Sequence, residues 1–184
     1  MNSTDDISIQ KKQIRELIKQ RKLQQSQSQR MEQSAAVLHK LENLEVFKRS
    51  TLLFAYWSMH DEIFTHDFIE KWHPHKKIVL PCTVGNEMVL KTFWGKENMV
   101  LNKQFGIYEP DSPIFTDIDS IHLALVPGVA FDASNNRLGR GKAFYDKFLV
   151  KTNAYKIGLC FDFQYLEKVP VDSNDIKMDI IIHP

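Results

Sequence analysis

The sequence predicts an α/β protein: a layered α/β/α sandwich with a mostly parallel, Rossmann-like central sheet. Short apolar runs typical of buried strands alternate with amphipathic stretches typical of helices. The apolar run 121–126 stops at Pro127-Gly128 and leads into a loop rich in glycine and arginine, a layout of open α/β sheets. No repeat or linker divides the 184 residues, so a single domain over 1–184 is expected.

A helical amino-terminal segment is expected over about 7–47. Apolar and basic side chains recur at helical spacing on neighbouring stripes, namely Ile14, Leu17 and Ile18 beside Lys11, Arg15 and Lys19. A solvated helix face is the alternative reading of the basic stripe. Ser26 and Gln29 form a potential capping box that opens a second helix, whose apolar face contains Val37, Leu38 and Leu41.

The α/β core is expected over about 51–184. Strands are predicted at 51–57, 77–84, 87–94, 121–126, 155–161 and 179–183, and helices at 65–72 and about 142–151. Thr65 is the expected N-cap of the first of these helices. Gly85-Asn86 predicts a two-residue hairpin turn, and 111–119 predicts a surface loop.

Composition narrows the class of function. A net charge of +1 argues against nucleic-acid binding, which normally requires a strongly basic domain. The two cysteines, Cys82 and Cys160, lack metal-binding spacing and fit a reducing compartment. No apolar run reaches the length of a membrane span. A cytoplasmic protein with a small anionic ligand is expected, without a nucleic-acid or membrane partner.

The loop after the 121–126 strand predicts a nucleotide-polyphosphate site. Gly139 and Gly141 would let the backbone approach phosphate closely, and Asp146 would offer a hard oxygen ligand to magnesium. Ala143 stands where a P-loop requires serine or threonine, so the site would be of another type. A solvated turn is the alternative. The cations expected to meet phosphate oxygens are Arg137, Arg140 and Lys142.

Residues 126–146 also carry a longer pattern: a strand, Pro-Gly-x-x-Phe-Asp, a short turn, then Arg-Leu-Gly-Arg-Gly-Lys and Tyr-Asp. Further landmarks follow in order along the chain: Lys11-Lys12-Gln13-Ile14-Arg15, Ser58-Met59-His60-Asp61-Glu62-Ile63 with Thr65, Gly106-Ile107-Tyr108-Glu109-Pro110, Gln164, Val169-Pro170 and Asp175. Together they resemble the 5-formyltetrahydrofolate cyclo-ligase family, also called methenyltetrahydrofolate synthetases, over nearly the full chain.

The resemblance implies an ATP- and magnesium-dependent ligase that forms a carbon–nitrogen bond. Such an enzyme converts 5-formyltetrahydrofolate and ATP into 5,10-methenyltetrahydrofolate, ADP and phosphate. Phosphorylation makes the formyl oxygen a leaving group, and the folate's 10-nitrogen closes the ring without a nucleophilic side chain. A monomer acting in one-carbon metabolism is expected, on a folate with or without a polyglutamate tail.

The resemblance also implies roles for individual residues. Lys142 and Arg140 are expected to be catalytic, and Asp146 and Asp175 to hold magnesium. A carboxylate can accept paired hydrogen bonds from a pterin edge, which suits Glu62. The residues expected at ATP are Lys11, Arg15, Lys19, Arg137, Leu138, Gly139, Arg140, Gly141, Lys142, Ala143, Phe144 and Tyr145. Those expected at the folate are Trp57, Glu62, Tyr108, Phe144 and Tyr145.

The chain departs from the family pattern at two points. Ala143-Phe144 stands where glycine and tyrosine are usual, and Asn135-Asn136 where a glycine is common. Asparagine tolerates a positive φ, so the turn before Arg137 is expected to survive. If position 143 is already helical, alanine stabilises it relative to glycine by roughly 0.5–1 kcal/mol.

Two other functions stay open at this point. The first is a non-catalytic anion-binding or regulatory module on the same fold, which would tolerate loss of the three carboxylates. The second is a sugar-phosphate isomerase or acyl-transfer enzyme of related architecture, which needs a base or nucleophilic carboxylate near the loop. Asp146, Asp175 and Glu62 are all present, which favours the cyclo-ligase.

Overall fold

A seven-stranded, mostly parallel sheet forms the centre of the computed structural model, which describes residues 3–85, 87–103 and 106–184. The strands are β1 (Leu52–Phe54), β2 (Lys77–Val84), β3 (Glu87–Thr92), β4 (Met99–Asn102), β5 (Ile107–Pro110), β6 (Ile114–Phe115), β7 (Leu123–Val126), β8 (Ala130–Asp132), β9 (Arg137–Leu138), β10 (Tyr155–Leu159), β11 (Tyr165–Leu166) and β12 (Ile180–Ile182). The α-helices are α1 (Ser3–Leu23), α2 (Gln27–Asn43), α3 (Glu45–Arg49), α4 (His66–Trp72) and α5 (Phe144–Leu149).

The strand order places two loops side by side. The central sheet runs β12-β10-β7-β1-β2-β3-β6, with parallel pairing from β12 to β2 and antiparallel pairing at β3 and β6. In the β1–β7 pair, Phe54 lies opposite Ala124. The loops that follow β1 and β7 therefore leave the same edge of the sheet, where open α/β proteins bind ligands.

The core lies on both faces of the sheet, as the layered fold class predicts. Because side chains alternate along a strand, Leu53 packs on the face covered by α2, α3 and α4, whereas Phe54 packs on the face covered by α5. Both side chains are fully buried. The small sheet β11-β8-β9 carries the chain from β7 towards α5. The predicted fold class is confirmed.

The amino-terminal segment is helical, from the start of α1 at Ser3 to the end of α3 at Arg49. Ser26 accepts from the backbone of Gln29, whose side chain accepts from the Ser26 backbone, so the predicted capping box is present. In α1, Ile18 is buried against the β8–β9 region, but Leu17 is 43% exposed at the edge of the predicted face. In the described part of the chain, no helix is both long and apolar enough to cross a bilayer.

Several predicted elements are shorter or differ in detail. The strand predicted at 51–57 is observed over Leu52–Phe54, and the helix predicted at 142–151 over Phe144–Leu149. β2 and β3 form the predicted hairpin, although Asn86 of its turn lies outside the described residues. The loop predicted at 111–119 contains the edge strand Ile114–Phe115.

The prediction that Thr65 caps α4 with its side chain is wrong. Thr65 occupies the cap position, but its hydroxyl makes no capping hydrogen bond. It donates instead to the carbonyl of Tyr56 and accepts from the amide of Ser58. Thr65 therefore fixes the chain just after β1, because its hydroxyl satisfies two polar backbone groups of that segment.

Candidate active site

Two adjoining cavities form one cleft at the carboxyl ends of β1 and β7. The first, of about 290 Å³, is called the apolar cavity because aromatic and aliphatic side chains dominate its wall. The second, of about 410 Å³, is called the ionic cavity because α1 and residues 172–175 bring charged groups to it. The two cavities share Gly139, Ala143 and Asp146. The loop after β9 and the first turn of α5 therefore border both cavities.

An ion triad closes one side of the ionic cavity. Lys11 Nζ lies 2.6 Å from an oxygen of Asp172 and also contacts the Asp175 carboxylate. Burial lowers the pKa of Lys11, but hydrogen bonds and attraction to the two carboxylates outweigh it and raise the net pKa above 10.5. One turn along α1, Arg15 Nε donates to the carbonyl of Gly139 over 3.0 Å. These contacts fix α1 against the loop.

Arg137 lies within the wall of the cleft. Its side chain is only 3% exposed, and it donates to Asp146 over 2.8 Å and to the carbonyl of Pro127 over 3.2 Å. Its guanidinium also lies 5.6 Å from the centre of the Tyr145 ring. Asp146, which accepts from the Ile176 amide as well, is therefore oriented by Arg137 at the junction of the two cavities.

A charge network spans the apolar cavity from the loop to the segment after β1. Arg140 donates to Asp61 over 2.7 Å and to Glu62 over 3.2 Å, and Lys22 reaches Asp61 over 3.0 Å. Burial raises the pKa of Asp61, but hydrogen bonds from Arg140 and Lys22 dominate and lower it to about 2. For Glu62 burial dominates, so its pKa is raised although Arg140 and the Met59 amide lower it.

Aromatic rings form the rest of the apolar wall. Trp57 stacks on His66 at 4.0 Å between ring centres and on Phe93 at 5.6 Å, which fixes the plane of the indole. Phe144 and Tyr145 line the wall beside the loop. Tyr108, on the ribbon β4–β5, is 52% exposed at the cavity wall. Flat apolar walls beside one carboxylate suit a planar ring with a polar edge.

The backbone of the loop takes left-handed turns where ligands could approach. Gly141 has a φ of 105°, and Ala143, directly before α5, has a φ of 54°. Position 143 is therefore not helical, so the condition under which alanine would stabilise it relative to glycine is not met. Upstream, Asn135 has a φ of 61°, so the turn survives with asparagine as predicted.

Comparison with known proteins identifies the family. The model of the 5-formyltetrahydrofolate cyclo-ligase family matches residues 7–184. The chain belongs to the 5-formyltetrahydrofolate cyclo-ligase family. A 5-formyltetrahydrofolate cyclo-ligase of Escherichia coli is 30% identical over 180 residues, covering 91% of this chain and 97% of the relative. A probable 5-formyltetrahydrofolate cyclo-ligase of Schizosaccharomyces pombe is 30% identical over 172 residues, covering 83% and 84%.

A solved structure supports the cyclo-ligase assignment. The 5,10-methenyltetrahydrofolate synthetase of Aquifex aeolicus superposes with a TM-score of 0.84 at 29% identity, over 94% of this chain and 88% of that one. The family resemblance inferred from the sequence is thereby confirmed.

The cyclo-ligase fold brings nearly all of the predicted site residues to the cleft. The exception is Lys19, whose side chain is 66% exposed, lines neither cavity and lies 3.7 Å from Glu16. Lining the apolar cavity are Trp57, Glu62, Tyr108, Arg137, Arg140, Lys142, Phe144 and Tyr145, and lining the ionic cavity are Lys11, Arg15, Leu138, Gly141 and Asp175.

Several residues at the cyclo-ligase cleft were not predicted, and three of them make contacts or line walls that matter for its chemistry. Asp61 anchors Arg140 and Lys22, Asp172 shares Lys11 with Asp175, and Tyr56 lines the apolar cavity. Asp61 could have been found from the sequence, because it sits beside Glu62 in the motif at residues 58–63. Tyr56 gave none, because a tyrosine in an apolar run is typical of core packing.

Proposed function

We propose that this chain catalyses the ATP- and magnesium-dependent conversion of 5-formyltetrahydrofolate to 5,10-methenyltetrahydrofolate, with release of ADP and phosphate. One observation carries the proposal: an ionic and an apolar cavity meet where the loop after β9 leads into α5, through Gly139, Ala143 and Asp146. A triphosphate in the first and a folate in the second would bring the terminal phosphate and the formyl group together at that loop.

The nucleotide would occupy the ionic cavity. Lys11 and Arg15 reach it from α1, and the backbone around Gly139 and Gly141 borders it. Lys142 and Arg140 line the apolar cavity instead. That position supports their catalytic role, because they would stand at the group being transferred, where negative charge spreads over phosphate oxygens.

The donor set fits magnesium. Asp146 and Asp175 both line the ionic cavity and supply carboxylate oxygens, and protein sites for magnesium commonly use one or two carboxylates beside phosphates. Among the described residues no cluster of three or more His, Cys, Asp or Glu could hold an ion alone, which agrees with a site completed by the nucleotide. Bound there, magnesium would neutralise phosphate charge. Arg137 and Lys11 orient the two carboxylates.

The folate would occupy the apolar cavity. Glu62, whose side chain is 10% exposed, offers its carboxylate to the donor groups of a pterin edge. Trp57, held flat by His66, together with Phe144 and Tyr145 gives stacking surface for the pterin and aminobenzoyl rings. Tyr108 would contact the end of the ligand nearest solvent.

The chemistry requires alignment and charge neutralisation. The formyl oxygen attacks the terminal phosphorus of ATP, and ADP leaves. The 10-nitrogen of the folate then attacks the formyl carbon and loses its proton. The carbon–oxygen bond breaks, and phosphate leaves with the former formyl oxygen. Lys142 and Arg140 stabilise the charge on the transferred group, and the protein supplies no covalent nucleophile.

We further propose a cytoplasmic monomer that acts on small molecules. Both cysteines are free and buried, which supports a reducing compartment. The net charge of +1 supports a small anionic ligand rather than nucleic acid.

The test is an assay of the complete reaction. Protein, MgATP and 5-formyltetrahydrofolate are mixed, and the near-ultraviolet band of the methenyl product is followed, with ATP omitted as the control. An ATP-dependent band is expected. If the protein binds ATP and folate but gives no band under any condition, it is a binding module and the proposed function fails.

A further inference from the structure

Tyr56 presents an unsatisfied polar group in the wall of the apolar cavity. The residue is only 2% exposed and lines this cavity together with Glu62 and Tyr145. Its hydroxyl is buried and has no hydrogen-bond partner among the described residues. Buried hydroxyl groups in proteins nearly always have a partner, so an unpaired hydroxyl on a residue that lines a cavity indicates that a ligand supplies the partner.

The segment that carries Tyr56 is held rigidly. The carbonyl of Tyr56 accepts the Thr65 hydroxyl, and Ser58 and Thr65 exchange two further hydrogen bonds between side chains and amides. The buried hydrogen bonds of Thr65 hold the backbone at Tyr56 in place. A small backbone shift therefore cannot expose the Tyr56 hydroxyl to solvent.

We propose that Tyr56 is a substrate-binding residue whose hydroxyl donates a hydrogen bond to the ring oxo oxygen of the bound pterin. The proposal deepens the proposed function and rests on it. A pterin edge presents amine and ring-amide donors directly beside that oxo acceptor. Glu62 accepts from the donors, and Tyr56 supplies the donor that the adjoining oxygen needs. Glu62 and Tyr56 together would therefore recognise the order of hydrogen-bond donors and acceptor along the pterin edge.

The charge state of Tyr56 suits a donor. Burial raises its pKa well above 10, and the nearby Glu62 carboxylate raises it further, so the phenol keeps its proton. Leaving a polar partner unpaired in a closed site is a strong source of discrimination between ligands.

The test compares two ligands on wild type and Tyr56→Phe. The probes are a 4-oxo pteroylglutamate and its 4-amino analogue, whose amino group cannot accept the hydrogen bond, with affinities measured by calorimetry. Tyr56→Phe should weaken the 4-oxo compound about three- to ten-fold, as expected for one neutral hydrogen bond, and the 4-amino analogue by less than about two-fold. Equal weakening of both, or of neither, overturns the proposal.

Melting of the ligand-free proteins gives the second readout. Because the hydroxyl is unpaired, Tyr56→Phe should melt at or above the temperature of wild type. A lower melting temperature would show a partner within the protein and contradict the proposal. Tyr155→Phe, on β10 and outside both cavities, is the matched control and should change neither affinity. If wild type gives no methenyl product, the proposed function fails; an active wild type with an unaltered Tyr56→Phe affinity rejects this inference alone.

Discussion

Arg140 joins two segments of the cleft wall through its charge partners. It projects from the loop after β9 and is neutralised by Asp61 and Glu62 on the segment after β1. A phosphate arriving at the loop would compete with these carboxylates for the same guanidinium, and a pterin on Glu62 would reduce that competition. The contacts of Arg140 would therefore couple the binding of phosphate at the loop to the binding of a pterin in the apolar cavity.

Lys142→Ala is expected to lower turnover more than it weakens ATP binding, because Lys142 would meet charge that grows during phosphoryl transfer. A charge-assisted contact of about 1.5–3 kcal/mol corresponds to a roughly ten- to hundred-fold loss of kcat. Steady-state kinetics of the variant is the measurement. Lys147→Ala, which removes an exposed cation from α5 outside both cavities, is the control. Turnover like that of wild type would show that Lys142 is structural.

The raised pKa of Glu62 predicts the acid limit of folate binding. Glu62 must be ionised to accept from the pterin, so KM for folate should rise as pH falls through a value above 4.5. Because the Arg140 cation lowers the Glu62 pKa, Arg140→Gln should move this limb to higher pH, whatever it does to kcat. The measurement is kcat/KM against pH. If the decrease of kcat/KM on the acid side occurs in Arg140→Gln at the same pH as in wild type, or at lower pH, Glu62 is not the group that limits folate binding.

The sequence predicted the residues of the site better than their partners. The arginines and glycines after β7 and Asp146 were predicted because they lie in one contiguous pattern, and Asp175 because the family resemblance implies it; all of them line the cleft. That Arg137 would be buried as the support of Asp146 could not be foreseen, since it depends on how tightly β8 and β9 pack. Asp61 lies in a recognised motif, but its pairing with Lys22 and Arg140 could not be foreseen, because these partners are 39 and 79 residues away in the sequence.

At the scale of elements, the start of α5 shows that the local sequence pattern predicts the helix but not the backbone conformation that begins it. The apolar spacing correctly placed a helix near residue 144, but Ala143 adopts a left-handed conformation that alanine ordinarily avoids. Strands were similarly found by their apolar runs, yet β1 ends at Phe54 while apolar residues continue to Trp57. Ala55 still donates to the carbonyl of Val79 and packs in the core, whereas Tyr56 and Trp57 turn to the wall of the apolar cavity, which composition alone does not reveal.

Ala143→Gly should stabilise the protein. Glycine adopts a positive φ without steric cost, and after allowing for its greater freedom in the unfolded chain the gain should be about 0.5–1 kcal/mol, or roughly 1–4 °C in Tm. Thermal melting checks this. Ala133→Gly, at an exposed turn position without a positive φ, should lower Tm instead. A fall in Tm for Ala143→Gly would mean that the loop does not hold this turn in solution.

At the scale of the whole molecule, α1 forms a wall of the ionic cavity rather than an appendage. It contacts residues 172–175 through Lys11, the loop after β9 through Arg15, and the segment after β1 through Lys22. The sequence predicted the helix and its basic stripe, but spacing alone did not distinguish these cations from a solvated face. Lys11, which is buried, and Arg15, which is partly buried, line the cleft, whereas the exposed Lys19 does not.

Lys11→Ala should therefore destabilise the fold and weaken ATP binding together. Loss of its charged hydrogen bonds should cost about 1.5–3 kcal/mol of unfolding free energy, whereas Lys12→Ala, on the exposed face, should cost little. Chemical denaturation and ATP titration are the measurements. Loss of ATP affinity without loss of stability would place Lys11 on the nucleotide but not in the support of α1.

The pH dependence of this triad has a definite sign. The pKa of Asp172 is lowered, first by its hydrogen bond from Lys11, so its stabilisation is present above 3.8 and is lost as pH falls through the lowered value. The pKa of Lys11 is raised, so its contribution is present below 10.5 and is lost as pH rises through the raised value. In Lys11→Ala the stability of the protein should vary less with pH at both limits.

The Lys11 contacts also have a consequence for biosynthesis. Lys11 leaves the ribosome early, yet its partners Asp172 and Asp175 lie 161 and 164 residues later. At about 5–20 residues per second, α1 waits on the order of ten to thirty seconds before its partners exist. During translation the nascent chain can build the sheet from β1 to β10 but cannot close the ionic cavity. Nucleotide affinity should therefore arise late and abruptly, once the segment that precedes β12 has emerged.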